Sequence, residues 1–159
     1  RKNGFDHCMI KILCVGSLKE RFYTQAVNEY VKRLKKYTKL QMIELDDESI
    51  GTTEQIINKE SKKILEHIKE EDFTILLDLK GITVDSLEFA ERLRKLSWQY
   101  KNIVFIIGGS YGVTEEVREN VKVVMAFSKL TFPHQLFRVI LLEQIYRAFR
   151  INSNESYHK

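Results

Sequence analysis

Apolar residues in this chain occur in two alternating patterns, short continuous runs and longer stretches with apolar positions three and four apart. The runs have the length of β-strands and cover residues 9–15, 40–45, 73–79, 103–107 and 121–127. Each stretch between two runs carries one apolar stripe, which is typical of an amphipathic helix. Because several runs are apolar on both faces, the pattern predicts an α/β fold with a mostly parallel sheet covered by helices on both faces.

Polar residues ahead of three of these stretches mark predicted helix starts. Thr52 with Gln55, and Asp85 with Glu88, have the spacing of a capping box. Thr114 is placed to cap a short helix that ends near residue 120. These residues therefore predict where the second, third and fourth helices begin.

The end of the third strand is predicted from a glycine. Gly81 follows the apolar run and can adopt backbone angles that other residues avoid, so we expect it to turn the chain. The helix after it carries a predicted apolar stripe of Leu87, Ala90, Leu93, Leu96 and Tyr100.

Pro133, the only proline in the chain, opens the last helix, which we predict over residues 133–150. Proline suits the first turn of a helix because its missing N–H would be unpaired there anyway. Thr131 is placed to cap this helix, which would make the preceding loop a rigid ledge of backbone groups. The helix is apolar around most of its circumference, so we expect part of it to contact a second subunit. The alternative is a fully buried central helix.

Length and charge define the size of the domain and its possible partners. At 159 residues and 43% hydrophobic content the chain is one domain's worth of sequence. We expect Met9 to be the natural start, residues 9–159 to be a single domain, and residues 1–8 to be an upstream extension or an expression remnant. The net charge of +4 is only mildly basic. However, residues 16–39 carry seven Lys/Arg against two Glu, so this segment could face a polyanion.

Cysteine content and hydropathy exclude several classes of protein. Cys8 and Cys14 have no His or Cys neighbours at metal spacing, which argues against a zinc site and against a disulfide framework. No run of about 18 apolar residues could span a membrane, and residues 1–8 lack the apolar core of a signal peptide. We therefore expect a cytoplasmic protein without a metal.

Unusual residues gather where the predicted strands end, at residues 77–80, 108–112 and 127–132. Ligands of parallel sheets bind at this edge. The Gly108–Gly109 pair lets a ligand approach the backbone closely, but no Gly-Lys-Ser/Thr sequence follows it, so a P-loop is excluded. Serine-nucleophile motifs are also missing. What remains is a backbone-lined pocket, arginines and a polar tail, which suits a reactive cofactor held against an acceptor.

Three segments resemble one known family. V-F-I-I-G-G-S-Y-G from residue 104, F-S-K-L-T-F-P-H-Q and the following Y-R-A-F, and the terminal Y-H-K closely resemble the ribosomal large subunit methyltransferase H family, a branch of the SPOUT methyltransferases. The resemblance spans residues 9–159. It implies a SPOUT-type α/β fold whose C-terminal part forms a deep trefoil knot. It further implies a homodimer that uses S-adenosylmethionine to methylate N3 of a pseudouridine in 23S ribosomal RNA. Because the chain is small and carries a net charge of only +4, we expect its substrate to be the assembled ribosome.

The resemblance also implies a set of site residues. The catalytic ones would be Arg147, which would stabilise negative charge on the target base, His158 as base or base-positioner, and Tyr157 as a partner of the flipped nucleotide. The tail that carries the last two would reach across to the other subunit's cofactor. The cofactor-binding residues would be Leu77, Gly108, Phe127, Ser128, Lys129, Leu130, Thr131 and Phe132.

Two positions depart from the family pattern and keep alternatives open. Ser156 stands where many relatives carry proline, and Tyr111 where smaller or amide residues are common. A diverged paralogue with another RNA substrate is therefore one alternative. A non-catalytic RNA- or ribosome-binding module that uses the basic stretch 32–39 is another, and a flavodoxin-like small-ligand binder is a third.

Overall fold

The structure, a computed structural model, describes residues 7–159, in which strands and helices alternate strictly. Residues 1–6 of the expected extension lie outside the described residues. The strands are β1 Met9–Val15, β2 Lys39–Leu45, β3 Phe73–Thr83, β4 Asn102–Ile107 and β5 Val123–Ala126. The helices are α1 Arg21–Leu34, α2 Thr53–Leu65, α3 Ser86–Gln99, α4 Glu115–Asn120 and α5 His134–Asn152.

The five strands form one parallel sheet in the order β2-β1-β4-β3-β5. Alternate residues of β1 separate into two hydrophobic layers, with Ile10 and Ile12 on one face and Leu13 and Val15 on the other. The first face is covered by α1, α3 and α5, and the second by α2 and α4. The predicted α/β sheet with helices on both faces is therefore confirmed.

The predicted turn at Gly81 is wrong, because β3 continues to Thr83. Pairing between β3 and β5 breaks after Leu77 and resumes at Ile82, so the intervening residues bulge out of the ladder. A Cβ on Gly81 would overlap the backbone of Met125 in β5. The glycine is thus required by the close approach of two strands, not by a turn.

The capping predictions hold at two helices. Capping boxes are formed by Thr52 with Gln55 and by Asp85 with Glu88, as expected. Thr114 is the residue before α4, but its side chain makes no capping hydrogen bond.

The predicted stripe of α3 is partly wrong, because Leu87 is 56% exposed while Phe89, Ala90 and Leu93 are buried. The buried side of the helix is centred on Phe89 and Leu93. Leu87 precedes Phe89 by two positions, which places it about 200° away around the helix.

The last helix starts one residue later than predicted. Pro133 is the residue before the first helical one, and it accepts the hydrogen bond from the Phe137 N–H. The predicted cap by Thr131 is wrong, because no side chain caps this helix and Thr131 lies two residues too early. α5 packs against both α1 and α3 and buries Leu141, Leu142, Ile145, Ala148 and Phe149 within its own chain. The expected contact with a second subunit stays a prediction. Within residues 7–159 no helix is long and apolar enough to cross a bilayer.

Candidate functional site

The middle of β3, where it bulges, the carboxyl end of β4 and the loop after β5 enclose a cavity of about 560 Å³. This volume lies within the range of small-molecule sites. The structure brings to its wall seven of the predicted cofactor-binding residues, namely Leu77, Gly108, Phe127, Ser128, Leu130, Thr131 and Phe132. Lys129 lies in the same loop, exposed, and does not line the cavity.

Several residues outside the predicted set of cofactor contacts also line this cavity. Asp78 and Leu79 follow Leu77, Ser110 follows the glycine pair, and His134 and Phe137 come from the first turn of α5. The first three lie in the predicted strand ends, and the last two lie at the predicted helix start. The lining therefore comes from β3, from the loop after β4 and from the connection between β5 and α5.

An ion pair fixes the bulge in β3 that forms one wall. One carboxylate oxygen of Asp78 accepts the Lys80 N–H at 2.9 Å, and the other accepts from Arg118 Nη2 at 2.9 Å and Nε at 3.2 Å. The side chains of Asp78 and Arg118 are 14% and 17% exposed. Arg118 on α4 thus holds the chain after Leu77 in its bulged course, and the carboxylate of Asp78 is charge-compensated.

The glycine loop after β4 is braced from behind by α2. A Cβ on Gly109 would overlap the carboxylate of Glu60, which is buried. The next residue of α2, Ser61, accepts the Thr114 N–H at 3.0 Å through its Oγ. Gly112 adopts a φ of +89°, in the left-handed region that favours glycine. The loop therefore presents backbone, and the packing behind it leaves no room for a side chain at Gly109.

His134 lies at the cavity edge as a neutral imidazole. Burial lowers its pKa, and Arg138 lowers it further. Its Nδ1 is 3.5 Å from the Ser110 hydroxyl. Arg138 itself is 2% exposed and donates to Glu44 Oε2 at 2.5 Å and to the Gly16 carbonyl at 3.1 Å. Arg138 thereby ties the start of α5 to the ends of β1 and β2.

Neither cysteine offers a nucleophile at this edge of the sheet. Cys8 and Cys14 are both buried. Burial raises the pKa of Cys14 to about 11, because the low-dielectric interior disfavours a thiolate. In the part of the chain that the structure describes, no group of His, Cys, Asp and Glu side chains could hold a metal ion.

The three predicted catalytic residues lie together in a second place, which we term the acceptor cluster: Glu143, Arg147, Tyr157 and His158. Arg147 Nη2 donates to Glu143 Oε2 at 2.6 Å, and its Nη1 lies 3.2 Å from His158 Nδ1. The Tyr157 hydroxyl donates to the same Glu143 oxygen at 2.8 Å. The Arg147 guanidinium also sits over the Tyr157 ring, 4.7 Å from its centroid.

Glu143 is the member of this cluster that the sequence analysis missed. It is four residues before Arg147, and this spacing is typical of an ordinary ion pair on a helix. The structure adds Tyr157 as a second partner from the tail. Burial and the bond to Glu143 raise the pKa of Tyr157, so its phenol stays protonated and acts as a donor.

The cavity and the acceptor cluster occupy different parts of one chain. Phe137, the last residue of α5 that lines the cavity, and Arg147 in the cluster are ten positions apart on this helix. At 1.5 Å per residue this corresponds to about 15 Å along the helix axis. Arg147 and the cavity wall therefore lie at different heights along α5.

Comparisons with known proteins give one consistent result. The model of the predicted SPOUT methyltransferase family matches residues 8–158. Two relatives are ribosomal RNA large subunit methyltransferase H of Caldicellulosiruptor bescii, 48% identical, and of Caldicellulosiruptor saccharolyticus, 44% identical. Both alignments cover 95% of this chain and 100% of the relative.

A solved structure supports the same fold. It is that of a probable methylase family protein from Haemophilus influenzae Rd KW20, with a TM-score of 0.55 and 11% sequence identity. The match covers 100% of this chain and 72% of that one. At this identity the likeness concerns the fold.

Proposed function

The chain belongs to the SPOUT methyltransferases and, within them, to the ribosomal RNA large subunit methyltransferase H family, and from this premise we propose that it is a ribosomal RNA methyltransferase. More specifically, it uses S-adenosylmethionine to methylate N3 of a pseudouridine in 23S ribosomal RNA on assembled ribosomes. The observation that carries the proposal is the cavity of about 560 Å³, whose wall contains seven of the eight residues carried over as cofactor contacts.

The residues of the cavity fit S-adenosylmethionine. Leu77, Phe127 and Phe132 supply apolar wall for an adenine ring, and the backbone at Gly108 is open to close approach. The neutral His134 and the charge-compensated Asp78 leave no unpaired charge at the wall. When bound, the cofactor supplies an electrophilic methyl group.

Arg147 is the residue that stabilises the negative charge that develops on the target base. The N3 proton of a pseudouridine must pass to solvent water before N3 gains a methyl group, and its departure places negative charge on the ring. A guanidinium fixed beside that ring stabilises the charge. The ion pair with Glu143 holds Arg147 in one orientation, with Nη1 on the side of His158.

The contact with Arg147 favours His158 as a base-positioner. A guanidinium only donates hydrogen bonds, so Nδ1 of His158 is the acceptor in this contact and the ring proton is on Nε2. That Nε2–H can donate to a carbonyl oxygen of the target base. Tyr157, with its protonated phenol and its ring beneath Arg147, offers a further surface for the flipped nucleotide.

Distance along α5 supports an active site shared between two subunits. Because about 15 Å of helix separates the cavity-lining Phe137 from Arg147 in one chain, we propose a homodimer in which the cluster of each subunit completes the cavity of the other. The C-terminal trefoil knot stays a prediction from the family. Cytoplasmic location is likewise a proposal that follows from a ribosomal substrate.

The test is transfer of labelled methyl from S-adenosylmethionine to ribosomes from cells that lack the modification, followed by mapping of the label. We expect label at N3 of one pseudouridine in 23S ribosomal RNA. Label at another RNA position would indicate a diverged paralogue. Binding of the cofactor by calorimetry with no transfer to any ribosomal RNA would contradict the enzymatic proposal, and ribosome binding without cofactor binding would favour the non-catalytic module.

A further inference from the structure

The C-terminal tail is held against α5 and the turn that follows α1 by side chains outside the predicted site. We propose that Tyr37, Arg150 and Glu155, which we term the tail clamp, position Tyr157 and His158 for the reaction. The inference rests on the proposed function, because it concerns residues that act through the acceptor cluster.

The chain reverses direction directly after α5. Asn154 adopts a φ of +55°, in the left-handed region that Asn tolerates better than most residues. The N–H of Ser153 bonds to the Phe149 carbonyl at 3.0 Å, and the N–H of Glu155 bonds to the Arg150 carbonyl at 2.9 Å. The end of the helix is therefore closed by a defined turn, and the residues after it run back along α5.

Glu155 is the centre of the clamp. One of its carboxylate oxygens accepts from the Tyr37 hydroxyl at 2.7 Å, and the other accepts from Arg150 Nη1 at 2.8 Å. Tyr37 is itself fixed, because its ring stacks on Phe149 with centroids 5.4 Å apart. The Tyr37 hydroxyl and the charge of Arg150 lower the pKa of Glu155, so the carboxylate is ionised at neutral pH.

Arg150 connects the clamp to the backbone of the tail. Its Nη2 donates to the Ser156 carbonyl at 2.8 Å, while its Nη1 holds Glu155. A serine leaves φ free where a proline would fix it. The Arg150 bond restricts this freedom by fixing the peptide group that joins Ser156 to Tyr157.

Tyr157 and His158 follow the clamp directly in the tail, and both contact side chains of α5. Tyr157 reaches fourteen positions back to Glu143, and His158 reaches eleven positions back to Arg147. The Tyr157 ring meets Tyr146 edge-on, with centroids 5.0 Å apart. Without the clamp these side chains would sample many positions, and the aligned cluster would be populated for only part of the time. A loss of alignment lowers the rate of transfer rather than the affinity for the donor.

The experiment compares full-length variants in methyl transfer to unmodified ribosomes. Glu155→Ala should lower kcat about tenfold or more, since small misplacements of reacting groups are costly. Affinity for S-adenosylmethionine should change less than about twofold, because the clamp does not line the cavity. Tyr37→Phe, which removes only the hydroxyl, should show a smaller loss in the same direction. Glu91→Ala is the matched control, because it removes an exposed carboxylate paired with Arg94 on α3.

A double-mutant cycle separates positioning from general stability. If the clamp acts through the tail, Glu155→Ala should slow the wild-type protein but add almost nothing to a variant that carries both Tyr157→Ala and His158→Ala. The kcat of Glu155→Gln should lie between those of wild type and Glu155→Ala, because glutamine keeps one acceptor oxygen. An equal rate loss in both backgrounds would overturn the proposal, as would wild-type kcat in Glu155→Ala.

A second readout does not depend on activity. Amide hydrogen exchange at residues 155–159 should be faster in Glu155→Ala than in wild type and unchanged in Glu91→Ala. If the wild-type protein transfers no methyl group, the proposed function fails, and exchange alone then decides whether the clamp holds the tail. Unchanged exchange in Glu155→Ala would overturn the clamp in either case.

Discussion

The cavity and the acceptor cluster are built by different means. The cavity is formed mainly by backbone and apolar side chains at the ends of strands in a single sheet. The acceptor cluster is formed by charged and hydroxyl side chains of one helix and the tail, which are held by hydrogen bonds near the surface. The first depends on the sheet for its shape, whereas the second depends on a few individual contacts. Substitutions should therefore separate donor binding from methyl transfer.

The largest effect is expected at Gly81, where the two regions should fail together. In Gly81→Ala the new Cβ would overlap backbone atoms of Val124 and Met125, and a backbone cannot rotate away as a side chain can. Overpacking of this kind costs about 3 kcal/mol at the upper end of its range. Urea unfolding should show this loss, and calorimetry should show weakened donor binding. Lys80→Ala, the exposed neighbour, should behave as wild type in both measurements.

Arg147→Ala should distinguish the role of the acceptor cluster in methyl transfer from the role of the cavity in donor binding most clearly. Removing a charge-stabilising donor lowers kcat about 100- to 1,000-fold, while donor affinity should stay close to wild type because Arg147 does not line the cavity. Single-turnover methyl transfer and calorimetry measure the two quantities. An equal loss of donor affinity would show that the cavity and the acceptor cluster form one site within the chain.

His158→Ala should also lower kcat, but by a smaller factor than Arg147→Ala. Loss of a group that positions the target base costs about 100-fold, because misplacement of the reacting atoms slows transfer. Donor affinity should again be unchanged. A drop in donor affinity as large as the drop in rate would contradict the role of His158 on the acceptor side.

The smallest effect is expected on the free energy of unfolding and concerns Glu60, the buried acid behind the glycine loop of the cavity. Burial raises the pKa of Glu60 above its ordinary value, so the folded protein keeps this proton over a pH range in which the unfolded chain has lost it. The free energy of unfolding therefore falls as pH rises from the unfolded pKa, about 4.3, through the raised folded pKa. Glu60→Gln retains an acceptor for the Glu48 N–H and removes the titration.

Urea unfolding of both proteins between pH 4 and pH 7 tests this expectation. The Glu60→Gln variant should gain stability relative to wild type as the pH rises. Parallel curves would show that Glu60 is ionised behind the glycine loop, and the cavity would then be braced by a charge.

Local signals in the sequence account for most of the fold and for the cavity wall. The capping boxes at Thr52 and Asp85 were predictable because all their atoms lie within one helical turn. Gly81 was misread because the reason for the glycine is the backbone of Met125, more than forty residues away. The partner of Asp78, Arg118, was missed for the same reason. Contacts between distant residues leave no periodicity for a single sequence to display.

The acceptor cluster was reached only through family resemblance. Periodicity along α5 identifies apolar positions and leaves Glu143 and Arg147 as an ordinary ion pair. The turn at Asn154 brings the tail back over that pair, and Glu155 after the turn contacts Tyr37, more than a hundred residues away, and Arg150. The reversal of the tail could therefore not be predicted from local patterns.

The central claim, that one active site combines the cavity of one subunit with the acceptor cluster of another, is tested by complementation. Gly108→Val, whose Cβ would lie 2.7 Å from Val113 Cγ1 and so distort the loop, removes the donor side, and Arg147→Ala removes the acceptor side. Each variant alone should be inactive. After co-expression in equal amounts half of the dimers are mixed, and each has one intact site of two, so about a quarter of wild-type methyl transfer should return. Activity no greater than the sum of the two single variants would contradict the shared site.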